Sequence, residues 1–288
     1  MRFAFIAKHR GSWQTRELCE ALGVSRGGFY EWLKRPESNR SRENRQLLGH
    51  VRASFEQSDR TYGSPRVWRD LRAWGHLCGE NRVARLMLAA GLKARSKRRR
   101  TPTDAGVRPE HAIAPNHLDR QFHAHGPNQR WVADFTYIWT GEGWLYFAAV
   151  LDLYSRRIVG WSMKAEMIAE LVTDALLMAI WRRGRPKELL HHSDQGSQYT
   201  SEQCQQMLAD NGIVCSMSRR GDVWDNSAME SFFASLKKER VHRRVYATRE
   251  EAKADLFDYV ERFYNQRRQH STIGYVSPAA YEAAAGLR

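Results

Sequence analysis

The stretch that most restricts this chain is Arg130 to Thr140, RWVADFTYIWT. Eleven residues rich in Trp, Val, Phe, Tyr, Ile and Thr, followed by Gly141 and Gly143, predict a β-strand running into a turn. Strand periodicity puts Val132, Asp134, Thr136 and Ile138 on one face and Ala133, Phe135 and Tyr137 on the other. A single acid amid so much apolar surface is costly unless something pairs with it. A neighbouring Arg or backbone N–H groups would suffice for a structural acid, so the rest of the chain has to decide what Asp134 is for.

With 288 residues there is room for one large domain or two to three small ones. The net charge of +14 is confined to the first third. Residues 1–100 hold 23 Lys and Arg against 9 Asp and Glu, whereas the remainder holds 23 of each. Such a localised excess points to nucleic acid. Cys19, Cys78, Cys204 and Cys215 are far apart and form no C-x-x-C pair, so neither a disulfide framework nor a zinc ribbon is suggested. No run approaches 18 apolar residues and no signal peptide is visible, so the expectation is a cytoplasmic, nucleoid-associated protein without a membrane span.

The chain divides into four parts. Residues 1–37 read as a helix–turn–helix DNA-binding unit, with Gly23 ending one helix, Ser25 capping the next and Arg26 as a candidate DNA contact. Residues 38–95 read as a helical region with a second such unit. Val67, Leu71 and Trp74 form one apolar stripe there, and Val83, Leu86, Met87 and Ala90 another, with Arg66 among the decorating cations. Lys93, Arg95, Lys97, Arg98, Arg99 and Arg100 place six cations in eight residues and lead into a Pro-containing linker, 96–127, suited to tracking a phosphate backbone. From residue 128 the pattern changes to strands at 130–140, 144–152 and 156–162, then helix and strand alternate (166–183, 188–193, 201–211, 213–217), then helices at 227–243 and about 249–269. This is α/β with a mixed sheet.

Three acids stand out by position: Asp134 in mid-strand, Asp194 just past a strand end, and Glu230 in the first turns of a helix. Carboxylates brought together repel, and a divalent ion with a taste for oxygen, Mg²⁺ or Mn²⁺, removes the conflict. Two such ions about 4 Å apart would activate a water or a 3′-hydroxyl for in-line attack on phosphorus. Lys237, almost two turns beyond Glu230, would hold the DNA strand by its phosphates. His191 and His192 are read as strand residues or supporting partners, and Asp152 as structural, paired with Arg156 or Arg157. Asp225 or Asn226 is expected to cap the Glu230 helix. Tyr264, Asn265, Arg268 and His270 are either DNA contacts or helix-end packing.

The segments WVADFTYI, HHSDQGSQYTS and DNSAMESFFASLKKE, with 59 and 35 residues between successive acids, resemble the DDE core of bacterial insertion-sequence transposases. YGSPRVWRDLR, VLDLYSRRIVGWSM and FYNQRRQHSTIGYVSPAAYE extend the resemblance to the orfB-type transposases of the insertion-sequence-three (IS-three) family over nearly the whole chain. The resemblance implies an RNase H-like five-stranded sheet and assigns Asp134, Asp194 and Glu230 as catalytic metal ligands. It also implies cutting at element ends and strand transfer on double-stranded DNA without a covalent protein–DNA intermediate. A homo-oligomer on DNA is expected, as is an upstream orfA product, separate or fused by frameshifting. A DNA-binding regulator with an inactive catalytic half, and a structure-selective nuclease, are the alternatives.

Overall fold

Three short helices open the chain: α1 (Arg2–His9), α2 (Thr15–Ala21) and α3 (Arg26–Lys34), closed around Ile6, Cys19 and Phe29. Ser25 caps α3 as expected, its hydroxyl accepting from the Gly28 N–H at 3.0 Å. α1 precedes the two helices read around Gly23 and Ser25, and Phe3, Ile6 and Ala7 carry its apolar spacing. The computed structural model describes residues 2–35, 37–94, 113–219 and 223–286. Arg95, Lys97, Arg98, Arg99 and Arg100 lie outside the described residues.

The second helical unit comprises α4 (Asn39–Gln57), α5 (Ser64–Ala73) and α6 (Glu80–Ala89). Val67 and Leu71 bury as the stripe predicts, but Trp74 follows the last turn of α5 and stays 40% exposed. The end of the helix turns it off the buried face.

Strand β1 (Arg130–Thr140) pairs antiparallel with β2 (Gly143–Asp152) along its whole length, from Trp131 opposite Asp152 to Thr140 opposite Gly143. The meander continues into β3 (Ile158–Lys164), with a register shift between Val150 and Leu151. After α7 (Ala169–Arg182), β4 (Leu190–Ser193) joins the other edge of β1 in parallel. After α8 (Glu202–Asp210), β5 (Val214–Met217) extends it. The sheet order is β3-β2-β1-β4-β5.

Helices cover both faces. Trp131, Ala133, Val150 and Val159 pack with α7 and α8. A Cβ at Gly160 would fall 2.1 Å from the Ala175 carbonyl oxygen, so only glycine lets α7 lie this close to β3. The opposite face, through Val132, Ile138, Phe147 and Leu151, shares one core with α9 (Ser227–Glu239), α10 (Arg249–Phe257) and α4–α6. α9 ends earlier than expected. Arg240 leaves the helical backbone region, and its guanidinium meets Asp255 at 3.3 Å and Asp258 at 3.0 Å. The expected long helix from 249 becomes a π-helical segment at Asp258–Tyr264. That wider winding delivers Asn265 to β3, where its amide serves both the N–H and the carbonyl of Ile158 at 2.9 Å. α11 (Pro278–Ala284) closes the chain.

The second half of the stretch read as linker lies on the sheet. Leu118 and Ala124 are buried, and the His117 and Leu118 N–H groups donate to Ser216 Oγ on β5. Among the described residues no helix is long and apolar enough to cross a membrane.

Candidate active site

Strand register brings two of the acids together. Parallel pairing sets Trp131 against His191 and Val132 against His192. Two residues further on, the same register carries Asp134 and Asp194 to one level, where β4 has just ended. Each carboxylate has a local backbone anchor: Phe135 N–H donates to Asp134 at 2.7 Å and Gly196 N–H to Asp194 at 2.9 Å. A Cβ at Gly196 would lie 2.9 Å from that Asp194 oxygen, so the loop approaches this closely because it has glycine there.

Glu230 is exposed on the first turn of α9. The sequence expectation that Asp225 or Asn226 caps this helix is corrected by the structure. Asn226 stands at the cap position without a side-chain cap bond and instead donates to the Ala133 carbonyl at 3.1 Å. The start of α9 is thereby tied to the residue before Asp134. Asp225 is fully buried and accepts from Arg219 (2.9–3.0 Å), Arg120 (2.9 Å) and Asn116 (2.8 Å). These bonds lock the segment ahead of α9. The Arg120 and Asn116 bonds span 105 and 109 positions and left no local trace in the sequence.

The acids feel one another. Burial pushes the Asp134 carboxyl up to about 8, the Asp194 charge adds to the rise and Glu230 contributes, while Lys237 opposes it. Desolvation lowers the Lys237 ammonium and Asp134 counteracts this. That ammonium lies 5.1 Å from the centre of the Tyr137 ring, a contact the sequence reading did not foresee. Among the described residues no group of three or more His, Cys, Asp or Glu side chains is placed to hold a metal ion. Asp194 and Glu230 lie near enough to Asp134 to raise its carboxyl.

The surroundings are neutral. His191 is buried and pushed down to about 3, and His192, bonded to Ser216 and Ser218, to about 4, so neither carries charge near neutral pH. Tyr199 is buried, and desolvation together with the Asp134 and Asp194 charges raises its hydroxyl far above the usual range. Asp152 is structural, but its partners differ from those expected. It accepts from the Asn128 and Tyr154 N–H groups at 2.8 and 2.9 Å, and the guanidinium it meets is Arg183 at 3.8 Å, not Arg156 or Arg157.

The other expected contacts are scattered. Arg26 is exposed at the start of α3 and Lys93 is exposed beyond α6. Arg66, in the first turn of α5, lies over the Tyr62 ring at 5.3 Å. Arg268 is only 7% exposed and makes a two-pronged pair with Glu239, 2.8 Å on each prong.

The integrase core domain family matches residues 124–223 and again 230–285, and the HTH-like domain family matches 41–100. The transposase InsF for insertion sequence IS3A of Escherichia coli (strain K12) is 40% identical over 286 residues, covering 98% of each chain. An insertion element IS600 31 kDa protein of Shigella sonnei is 38% identical, covering 92% of this chain and 97% of that one. Among solved structures, the magnesium complex of the HTLV-2 integrase catalytic core domain in its trimeric form is similar at 18% identity and a TM-score of 0.41. It covers 54% of this chain and 96% of that one. Read together with the mixed sheet and its edge of acids, the near full-length identity shows that the chain belongs to the IS3 family of insertion-sequence transposases, an integrase-type DDE enzyme family.

Proposed function

We propose that this chain cuts double-stranded DNA at the ends of its insertion sequence and joins those ends to target DNA, with Asp134, Asp194 and Glu230 as its catalytic acids. The observation that supports this best is the parallel register that levels Asp134 with Asp194, with Glu230 on the first turn of α9 near enough to raise the Asp134 carboxyl, in a chain of this family. The donors are hard carboxylate oxygens whose mutual repulsion calls for positive charge, chemistry that suits Mg²⁺ or Mn²⁺, and two such ions would be held by these three residues. When bound, such ions sharpen an attacking water or 3′-hydroxyl and steady the departing oxygen.

The chain's own groups supply the positioning. Two paired strands hold Asp134 and Asp194, the Phe135 and Gly196 N–H groups orient their carboxylates, and Asn226 fixes the origin of α9 against β1. Lys237, propped on Tyr137, presents its ammonium beside Asp134, where a strand phosphate would dock. Arg26, Arg66, Lys93, Arg268 and the cations through Arg100 supply further DNA contacts. The division into a DNA-binding unit (1–37), a helical region (38–95), a basic linker (96–127, its second half packed on the sheet) and a catalytic domain (128–288) belongs to this reading. So does action in the bacterial cytoplasm as a homo-oligomer, alone or with an upstream orfA product.

The test is incubation of the full chain with element-end duplex and Mg²⁺. Nicked and joined products should form, vanish on chelation, and vanish in Asp194→Asn while binding stays within a few fold. Binding with no nicking by the wild type would defeat the reading, and cutting that never joins ends would reduce it to a nuclease.

A further inference from the structure

A polar cavity of about 130 Å³ opens where α5, the β2–β3 turn, α9 and the C-terminal segment meet. Arg66, Arg156 and Arg268 line it together with His270, Ser231 and Ser235. The three guanidinium groups are not equally satisfied. Arg268 pairs with Glu239 and also donates to Ser235 Oγ at 3.1 Å. Among the described residues neither Arg66 nor Arg156 forms an ion pair. Arg66 lies over the Tyr62 ring, and Arg156 reaches the Phe122 carbonyl only at 3.4 Å. Three positive charges thus converge where one carboxylate answers them, leaving two in excess.

Partly buried cations held together without an anion are costly, because desolvation and mutual repulsion act in the same direction. Both effects are visible here. Burial lowers the Arg66 and Arg156 guanidinium groups, and Arg268 further depresses Arg66. Desolvation and all three arginines drive His270 well below the usual imidazole range, so it stays neutral and contributes hydrogen bonding without a further charge. The cavity is several times the roughly 30 Å³ share of one water but well under the roughly 300 Å³ at which pockets begin to hold drug-sized ligands. It suits a small tetrahedral oxyanion. Its floor, Arg268 and His270, is 7% and 8% exposed, whereas Ser231, Ser271 and Thr272 at its mouth are exposed. A phosphate attached to a longer chain can therefore enter from solvent.

We propose that this cavity is a phosphate site that seats one backbone phosphate of bound DNA, an assignment resting on the transposase reading above. Ser231 directly follows Glu230 on α9, so a phosphate held here fixes the strand relative to the acids. The site also gives a role to His270, Ser271 and Thr272 in the C-terminal motif, which the acids leave unexplained. Free inorganic phosphate presents the same chemistry and is the other possible source.

The experiment uses the full chain, Arg156→Gln, and Thr272→Glu, which places a carboxylate at an exposed position of the mouth and guards against misfolding of the first variant. Affinity for a random-sequence duplex is measured across a KCl series, and the thermal midpoint is followed with inorganic phosphate against chloride at equal ionic strength. Both variants should flatten the log–log salt dependence by about 0.9, the value of one lost duplex phosphate contact. An unchanged slope with loss of the wild type's phosphate-induced rise in midpoint would keep the phosphate site and overturn its DNA occupant. Wild-type slope and wild-type phosphate response in both variants would overturn the site. If the wild type itself bound no duplex, the transposase reading would fail, and the phosphate arm alone would decide the cavity.

Discussion

The two faces of the sheet are built from alternate residues of the same strands, yet they are different kinds of surface. On one, Trp131, Ala133, Val150 and Val159 meet Leu171, Val172, Ala175, Leu176 and Ala179 of α7 in a dry, close-packed layer. On the other, Val132 and Ile138 share their face with Asp134, and the covering elements bring Glu230, Lys237, Arg240, Glu239 and Arg268. The first face is assembled mainly from neighbouring segments. The second draws on α4–α6, α9 and the C-terminal segment, which are hydrogen-bonded together: Tyr62 donates to the Arg267 carbonyl, and Gln269 donates to Asp70. Both faces are buried, and the first is packed from apolar residues. The other can carry charge because its buried guanidinium groups are paired, Arg240 with Asp255 and Arg268 with Glu239.

Substitutions on the two faces should separate these roles. The largest effect is expected at Asp134→Asn and Glu230→Gln. Strand cutting should fall by about 10³-fold or more, as when a key electrostatic stabiliser is removed, with the thermal midpoint little changed. A gel-based nicking assay beside a melting curve decides it, and a large loss of stability would make these residues structural.

Next comes Glu239→Ala, which strands the Arg268 guanidinium in a buried position. It should cost about 3–5 kcal/mol in urea unfolding, the range for breaking a buried pair from one side. A loss under about 1 kcal/mol, the value of a surface pair, would show that solvent reaches Arg268 far more freely than its burial implies.

On the dry face, Leu176→Ala should cost about 2–5 kcal/mol by cavity formation. Once the protein is folded, the ratio of cutting to DNA binding should be unchanged. A specific loss of cutting would mean that the faces are coupled through β1.

The smallest effect concerns acid. The Arg219 hydrogen bonds, assisted by Arg120, hold the Asp225 carboxyl well below its usual range against the pull of burial. Its folded pKa is depressed, so its contribution is complete above the unfolded carboxylate pKa of about 3.9 and is lost as pH falls below that value. Asp225→Asn should flatten the acid side of the stability curve and lower the plateau at neutral pH. An acid limb identical to the wild type would remove Asp225 from the lock on α9.

Much of the sheet was legible because β1–β3 are joined by short turns and follow period two without interruption. The α7 stripe was legible for the same local reason. The acids proposed as catalytic were picked out as residues by the motifs around them. Their partners were not. Asn226 was read as a cap because cap residues are recognised by local position, and its actual acceptor, the Ala133 carbonyl, lies 93 positions away. Arg156 and Arg157 are close to Asp152 in the chain, but the turn sends Arg157 to Glu282 and Arg156 to the cavity it lines with Arg66 and Arg268.

The amino-acid order by itself determined which segments become strands and helices and which faces are apolar, since these follow from periodicity and local motif. Only the tertiary structure decided the parallel register that levels Asp134 with Asp194, the Asn226 tie that anchors α9, and the convergence of Arg66, Arg156 and Arg268. Those features depend on distances between segments far apart in the chain, and electrostatic interaction follows separation in space, with no regard for separation in sequence.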